Sequence, residues 1–201
     1  MNEAARLLLM LGLAGTAVTF LGSAALWFLD EDRRIRRALA RVLKGAAEAV
    51  VIARGRGRGA GVCFETGLAA VAWDMGRWCL VYRIDELVGA ELLVDGHVAA
   101  RVYRGEPRRA LDRVAGTAAQ VTLRLIFDDP RNPDFELDLW LSGDEARREA
   151  RSAADAIQEA NSWLARADAI LRRPVTPRAP TPVSRPEPES EDDDPPPEPH
   201  N

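Results

Sequence analysis

The stretch VTLRLIFDDPRNPDFELDLWL, residues 121–141, decides the fold. Val121, Leu123, Leu125 and Phe127 alternate with Thr122, Arg124 and Ile126. Phe135, Leu137, Leu139 and Leu141 alternate with Glu136, Asp138 and Trp140. A period of two with one apolar face predicts two antiparallel strands. Asp128–Asp134, rich in Pro and Asn, supplies the turn. The same alternation puts Ile126 and Trp140 on the polar face. They form a candidate partner patch there, unless the segment near the N-terminus covers them.

Similar runs recur upstream at 62–65, 68–73, 78–83, 89–94 and 97–104. Asp95-Gly96 sits between the last two and signals a tight hairpin, because type I′ turns need positive φ at both central residues. Pro107–Ala115 reads as a short helix ended by Gly116. Downstream, Ser142 and Glu145 match a capping box. Ala146, Ala150, Ala153, Ile157, Ala160, Leu164, Ala167 and Leu171 then form one stripe, predicting a long helix over Asp144–Arg172. About seven antiparallel strands and a long C-terminal helix make an α+β domain, an antiparallel sheet or partial barrel.

Upstream of the strands lies the uncharged run Leu7–Leu29. At 1.5 Å per residue it spans roughly 34 Å, enough to cross a hydrocarbon core as a single-pass transmembrane helix. A cleaved signal peptide ending near Ser23-Ala24-Ala25 is the competing reading, but the apolar run continues past that point. Arg33, Arg34, Arg36, Arg37, Arg41 and Lys44 lie just beyond it, and the positive-inside rule then sets the N-terminus outside and the C-terminus inside. The expectation is an integral protein of a bacterial inner membrane with its domain in the cytoplasm. Gly15, Thr19 and Ser23 fall on one helix face, where small residues permit a homodimer.

Ile35, Leu39, Val42, Leu43 and Ala46 repeat at helical spacing, opposite the arginines. Such a helix either lies on anionic lipid through Arg33, Arg34, Arg36, Arg37, Arg41 and Lys44, or packs on the domain. Arg54-Gly55-Arg56-Gly57-Arg58-Gly59 is short and has no interleaved aromatic residue, so it reads as a hairpin loop or basic connection rather than a nucleic-acid tract.

The chain has two cysteines, two histidines and a net charge of −4. Cys63 and Cys79 lack zinc spacing and fall in strand-like runs, as small buried hydrophobes do. His97 comes just after a turn, and no nucleophile–base pair, phosphate loop or cofactor motif is visible. Asp128, Asp129 and Asp134 are turn residues rather than a metal cluster. A catalytic, cofactor or metal site is not expected. The last segment, Pro174–Asn201, is rich in proline and acidic residues and is expected to be disordered.

The order of elements resembles the pleckstrin-homology-like domains of bacterial proteins. Within it Tyr82-Arg83-Ile84-Asp85-Glu86-Leu87, Glu91, Asp95-Gly96 and the Asp128-Asp129-Pro130 to Pro133 turn are similar to segments of uncharacterised membrane-anchored proteins. The resemblance implies a bent antiparallel sheet plugged by a C-terminal helix, and a binding or scaffolding role. The expected organisation is an anchor at 1–30, a basic segment at 31–60, the domain at 61–173 and the tail at 174–201. The expected role is a membrane-anchored adaptor for a protein partner, with an anionic-lipid surface sensor as the alternative and an enzyme a distant third.

Overall fold

The computed structural model describes residues 16, 19, 30–109, 118–146 and 152–173. Helix α1 (Glu31–Leu43) leads into strands β1 (Ala49–Ala53), β2 (Arg58–Cys63), β3 (Leu68–Trp73) and β4 (Trp78–Arg83). A 3-10 corner at Ile84–Glu86 connects to β5 (Leu87–Val94), β6 (His97–Tyr103), β7 (Gln120–Phe127) and β8 (Asp134–Leu141). A second 3-10 turn, Ser142–Ala146, precedes helix α2 (Ala153–Leu171). The strands form two antiparallel four-stranded sheets, ordered β1-β2-β3-β4 and β6-β5-β7-β8.

Alternation along each strand sends one set of side chains into a shared core. Val51, Ala60, Val62, Ala69, Val71 and Tyr82 come from the first sheet, and Ala90, Leu92, Leu123, Leu125 and Leu137 from the second. Helix α2 completes it with Ala156, Ile157, Ala160, Trp163, Leu164, Ala167 and Ile170. Tyr82 stacks on Phe127 at 4.0 Å and 8°, joining the sheets beside the corner.

The outer face of the first sheet holds a second apolar cluster. Ile35, Leu39 and Leu43 of α1 are fully buried there against Ile52, Cys63, Ala70 and Ala72. Small residues let the helix sit close: a Cβ on Gly59 would lie 2.7 Å from Ile35 Cγ2, and one on Gly76 2.7 Å from Ala38 Cβ. Asp30 caps α1 by accepting from Asp32 N (3.1 Å). Glu31 in the first turn accepts from Gly55 N (2.8 Å) and Gly57 N (2.6 Å), so the Arg-Gly stretch is a hairpin turn held by the start of a helix.

Among the described residues no helix is long and apolar enough to cross a membrane. The single-pass, integral inner-membrane protein with N-out/C-in topology and a cytoplasmic domain is therefore not what the structure supports. Leu7–Leu29 lies outside the described residues except for Thr16 and Thr19, as do Gly15 and Ser23 of the expected dimer stripe and the tail 174–201. The single bent sheet or partial barrel is replaced by two sheets, because the corner at Ile84–Glu86 ends one meander and starts the next.

The long helix also differs. Ser142 starts only a 3-10 turn, and the capping box that begins α2 is Ser152 with Asp155, whose groups bond reciprocally. Pro107–Arg109 is not helical: Arg109 pairs with Arg101 in an isolated antiparallel bridge, and 110–117 lie outside the described residues.

Close packing of α1 makes Gly59 sensitive. Gly59→Ala is expected to cost about 1–3 kcal/mol through steric overlap. Gly143→Ala, with nothing within 4 Å of its added carbon, is expected to be neutral. Urea midpoints at unchanged slope read the difference.

Candidate functional site

Among the described residues strand β4 pairs with β3 alone, from Leu68↔Arg83 to Trp73↔Trp78, without a bulge. Ile84 N donates to Gly67 O (2.9 Å), which continues that ladder by one step and sets its phase. In an antiparallel pair both polar groups of a residue point the same way and alternate along the strand. Trp78, Leu80 and Tyr82 therefore bond to β3, and the N–H and C=O of Cys79 and Val81 point to the open side. Arg83 also points outward, but its N–H is taken by the Glu86 carboxylate (2.8 Å).

The exposed large hydrophobic residues among those described are Met75 (44%), Trp78 (62%) and Val81 (44%). All three belong to β4 or its turn. That turn is fixed by Asp74, Met75 and Gly76 at φ of 50°, 54° and 79°. Met75 N donates to Gly57 O (2.9 Å), tying it to the Arg-Gly turn. Edge strands commonly carry lysine, proline or a bulge against unwanted pairing. Trp78–Tyr82 has none of these; its flanking cations, Arg77 and Arg83, pair with Asp74 (3.7 Å) and Asp85 (2.7 Å). Cys79 lies on the α1 side, where burial pushes its thiol pKa up against the lowering effect of Arg41.

The other edges carry local contacts. Arg109 exchanges backbone bonds with Arg101 on β6 (3.0 and 3.3 Å). The β1–β2 turn is bound to the end of β8 by the half-buried Arg56–Asp144 pair (2.8 Å), and Asp144 also accepts from Leu141 N (3.0 Å).

Beside the far end of β4 a cleft of about 190 Å³ is lined by Gly67, Arg83, Ile84, Asp85, Arg104, Ile170 and Arg173. Arg104 Nη2 donates to Asp85 O (3.0 Å) and Leu87 O (2.6 Å), which holds its guanidinium against the corner. Arg173 lies over the Phe64 ring, 5.1 Å from its centre.

The sequence-derived candidates fall elsewhere. Arg36, Arg37, Arg41 and Lys44 are exposed on α1 and Arg33 and Arg34 half-buried, while the apolar face of the helix is buried on the sheet. Trp140 is 4% exposed and belongs to the core. The reason is a register shift: Val121 faces Trp140 but Thr122 faces Asp138, so Leu139 is extra and the alternation inverts. Ile126 is half-buried opposite Asp134, so the two make no exposed pair. In the exposed turn, the Arg131 backbone N–H and then Asn132 hold the Asp129 carboxyl below its usual range.

The outer face of the second sheet carries a charge ladder that sequence alone does not pair. Arg101, Glu91, Arg124 and Glu136 stand opposite one another across β6, β5, β7 and β8. Arg124 bonds Glu136 (2.6 Å) and Glu91 (3.0 Å), and Tyr103 OH donates to the other Glu91 oxygen (2.8 Å). Glu91 is only 6% exposed, so these partners offset the cost of burying its charge.

The chain matches no protein-family model, no curated protein and no solved structure.

Burial, then the Glu91 hydrogen bond and charge, push the Tyr103 pKa up to about 12, from about 10 for an ordinary tyrosine. The folded chain thus holds this proton more tightly than the unfolded one. Its contribution to stability is complete below pH about 10 and is lost as pH rises toward about 12. Unfolding free energies across that window are expected to decline with pH, and less steeply in Tyr103→Phe. The part that persists reflects Tyr82, whose pKa burial also raises.

Proposed function

We propose that this chain is a protein-binding adaptor that takes up an extended segment of a partner on the open edge of β4. The observation that carries this reading is a coincidence at one place. The backbone groups of Cys79 and Val81 face outward on the same short strand that holds Trp78 and Val81, two of the exposed large hydrophobics. Strand addition uses such an edge: main-chain hydrogen bonds supply affinity, and side chains on alternate sides supply selectivity. A partner segment here would alternate apolar residues beside Val81 on one face and beside Trp78 and Leu80 on the other.

A second copy of this chain is a poorer occupant in the register centred on Leu80. Antiparallel self-pairing centred on Leu80 would set Arg77 opposite Arg83 of the other copy, and like charges directly opposite are destabilising. The anionic-lipid alternative draws on the exposed Arg36, Arg37, Arg41 and Lys44. It is the weaker reading, because Ile35, Leu39 and Leu43 are already buried and leave no apolar stripe to enter a bilayer.

Selection of displayed linear peptides on the full chain tests the proposal. Peptides with alternating apolar residues are expected to be enriched. Val81→Pro removes an outward N–H at an edge position, where proline is compatible with a sheet. It is expected to weaken the selected peptides by about tenfold or more, with a small change in melting temperature. Enrichment of peptides indifferent to Val81→Pro would contradict strand addition.

A further inference from the structure

We infer that the cleft between the Ile84–Glu86 corner and the end of α2 is a carboxylate-binding site, occupied in the full chain by its own acidic run Glu187–Asp194. Three guanidinium groups, from Arg83, Arg104 and Arg173, line the cleft together with one carboxylate, Asp85. That carboxylate is already engaged: Arg83 Nε and Nη2 hold it in a two-point pair at 2.9 and 2.7 Å. Among the described residues Arg104 and Arg173 have no carboxylate partner. Both are nevertheless held in place, Arg104 by two backbone carbonyls and Arg173 by the Phe64 ring. Fixed, uncompensated guanidiniums favour a planar anion, since each offers paired N–H donors matched to two oxygens. The floor of Gly67, Ile84 and Ile170 is apolar, so the ligand presents a carboxylate on a carbon stem.

Chain connectivity singles out the occupant. Arg173, the last residue described, is itself part of the cleft wall. Glu187, Glu189, Glu191, Asp192, Asp193 and Asp194 come later in the chain with no cation among them. Residues 174–186 separate them from the cleft, a reach of up to about 40 Å at roughly 3.1 Å per residue. Closing a loop of that length has a small entropic cost, and tethering supplies an effective concentration near the millimolar range. The exposed cations of α1 are the competing surface, and the cleft differs from them in holding its guanidiniums preset around one cavity.

The test uses the full chain with these six acidic residues changed to their amides, and a fluorescent peptide of residues 185–196 added in trans. Binding by anisotropy is expected, weakening with added salt. It should fall by about tenfold or more in R83Q/R173Q, two exposed positions, and stay unchanged in R36Q/R41Q. The chain with its native tail is expected to bind the peptide less well, because its own run occupies the cleft. Absence of binding, insensitivity to R83Q/R173Q, loss in R36Q/R41Q instead, or equal binding by the native-tail chain would each overturn the assignment.

Discussion

The packing of α2 on the inner face of the second sheet, within the core that the first sheet shares, organises the rest of the fold. Each sheet has one apolar inner face and neither closes on itself, so each needs a cover. Trp163, Ala167 and Ile170 line a small apolar cavity together with Ala60, Val62 and Ala69 of the first sheet and Leu87, Leu125 and Phe127 of the second. On the opposite face of the first sheet the small residues Gly59, Gly61, Ala70 and Ala72 let α1 approach closely. Helix α1 and the shared core thereby cover most of that sheet, and the exposed large hydrophobics among the described residues lie on β4 and its turn.

The two sheets treat their exposed surfaces in opposite ways. The second sheet dresses its outer face with alternating charges from Arg101 to Glu136 and buries Glu91 among them, an arrangement that discourages apolar contact and fixes strand register. The first sheet leaves Trp78 and Val81 exposed beside backbone groups that have no partner among the described residues. An edge with neither charge nor proline at its centre is a liability unless something pairs with it. That contrast favours a binding role for β4 over a purely structural one. The cleft at Arg83 touches the same strand at its far end, which places an anion site next to the proposed docking edge.

Much of the local structure was legible in the residues, because local rules dictate it. Asp95-Gly96 is a turn with φ of 52° and 78°, as its sequence demands. The strands from β3 to β8 lie close to where alternation puts them. Three things were not legible for nonlocal reasons. The bulge at Leu139 reverses Trp140, and only the pairing with β7 reveals it. The division into two sheets depends on a corner that reads in sequence as a short link. The open edge depends on strand order, since WCLVYR looks the same in a central strand as in an edge one. The cleft gathers arginines from β4, the end of β6 and the end of α2, which no spacing rule connects. The Arg-Gly stretch shows the converse: its Gly55 and Gly57 amides are bonded to Glu31, and Arg56 to Asp144, so an apparent polyanion motif is a structural turn.

Amide hydrogen exchange along β4 in the free chain reads whether that edge is open. The amides of Leu80 and Tyr82, bonded to β3, are expected to be protected, and those of Cys79 and Val81 to exchange much faster. Equal protection of all four would mean that the edge is already covered, and would contradict an open strand waiting for a partner.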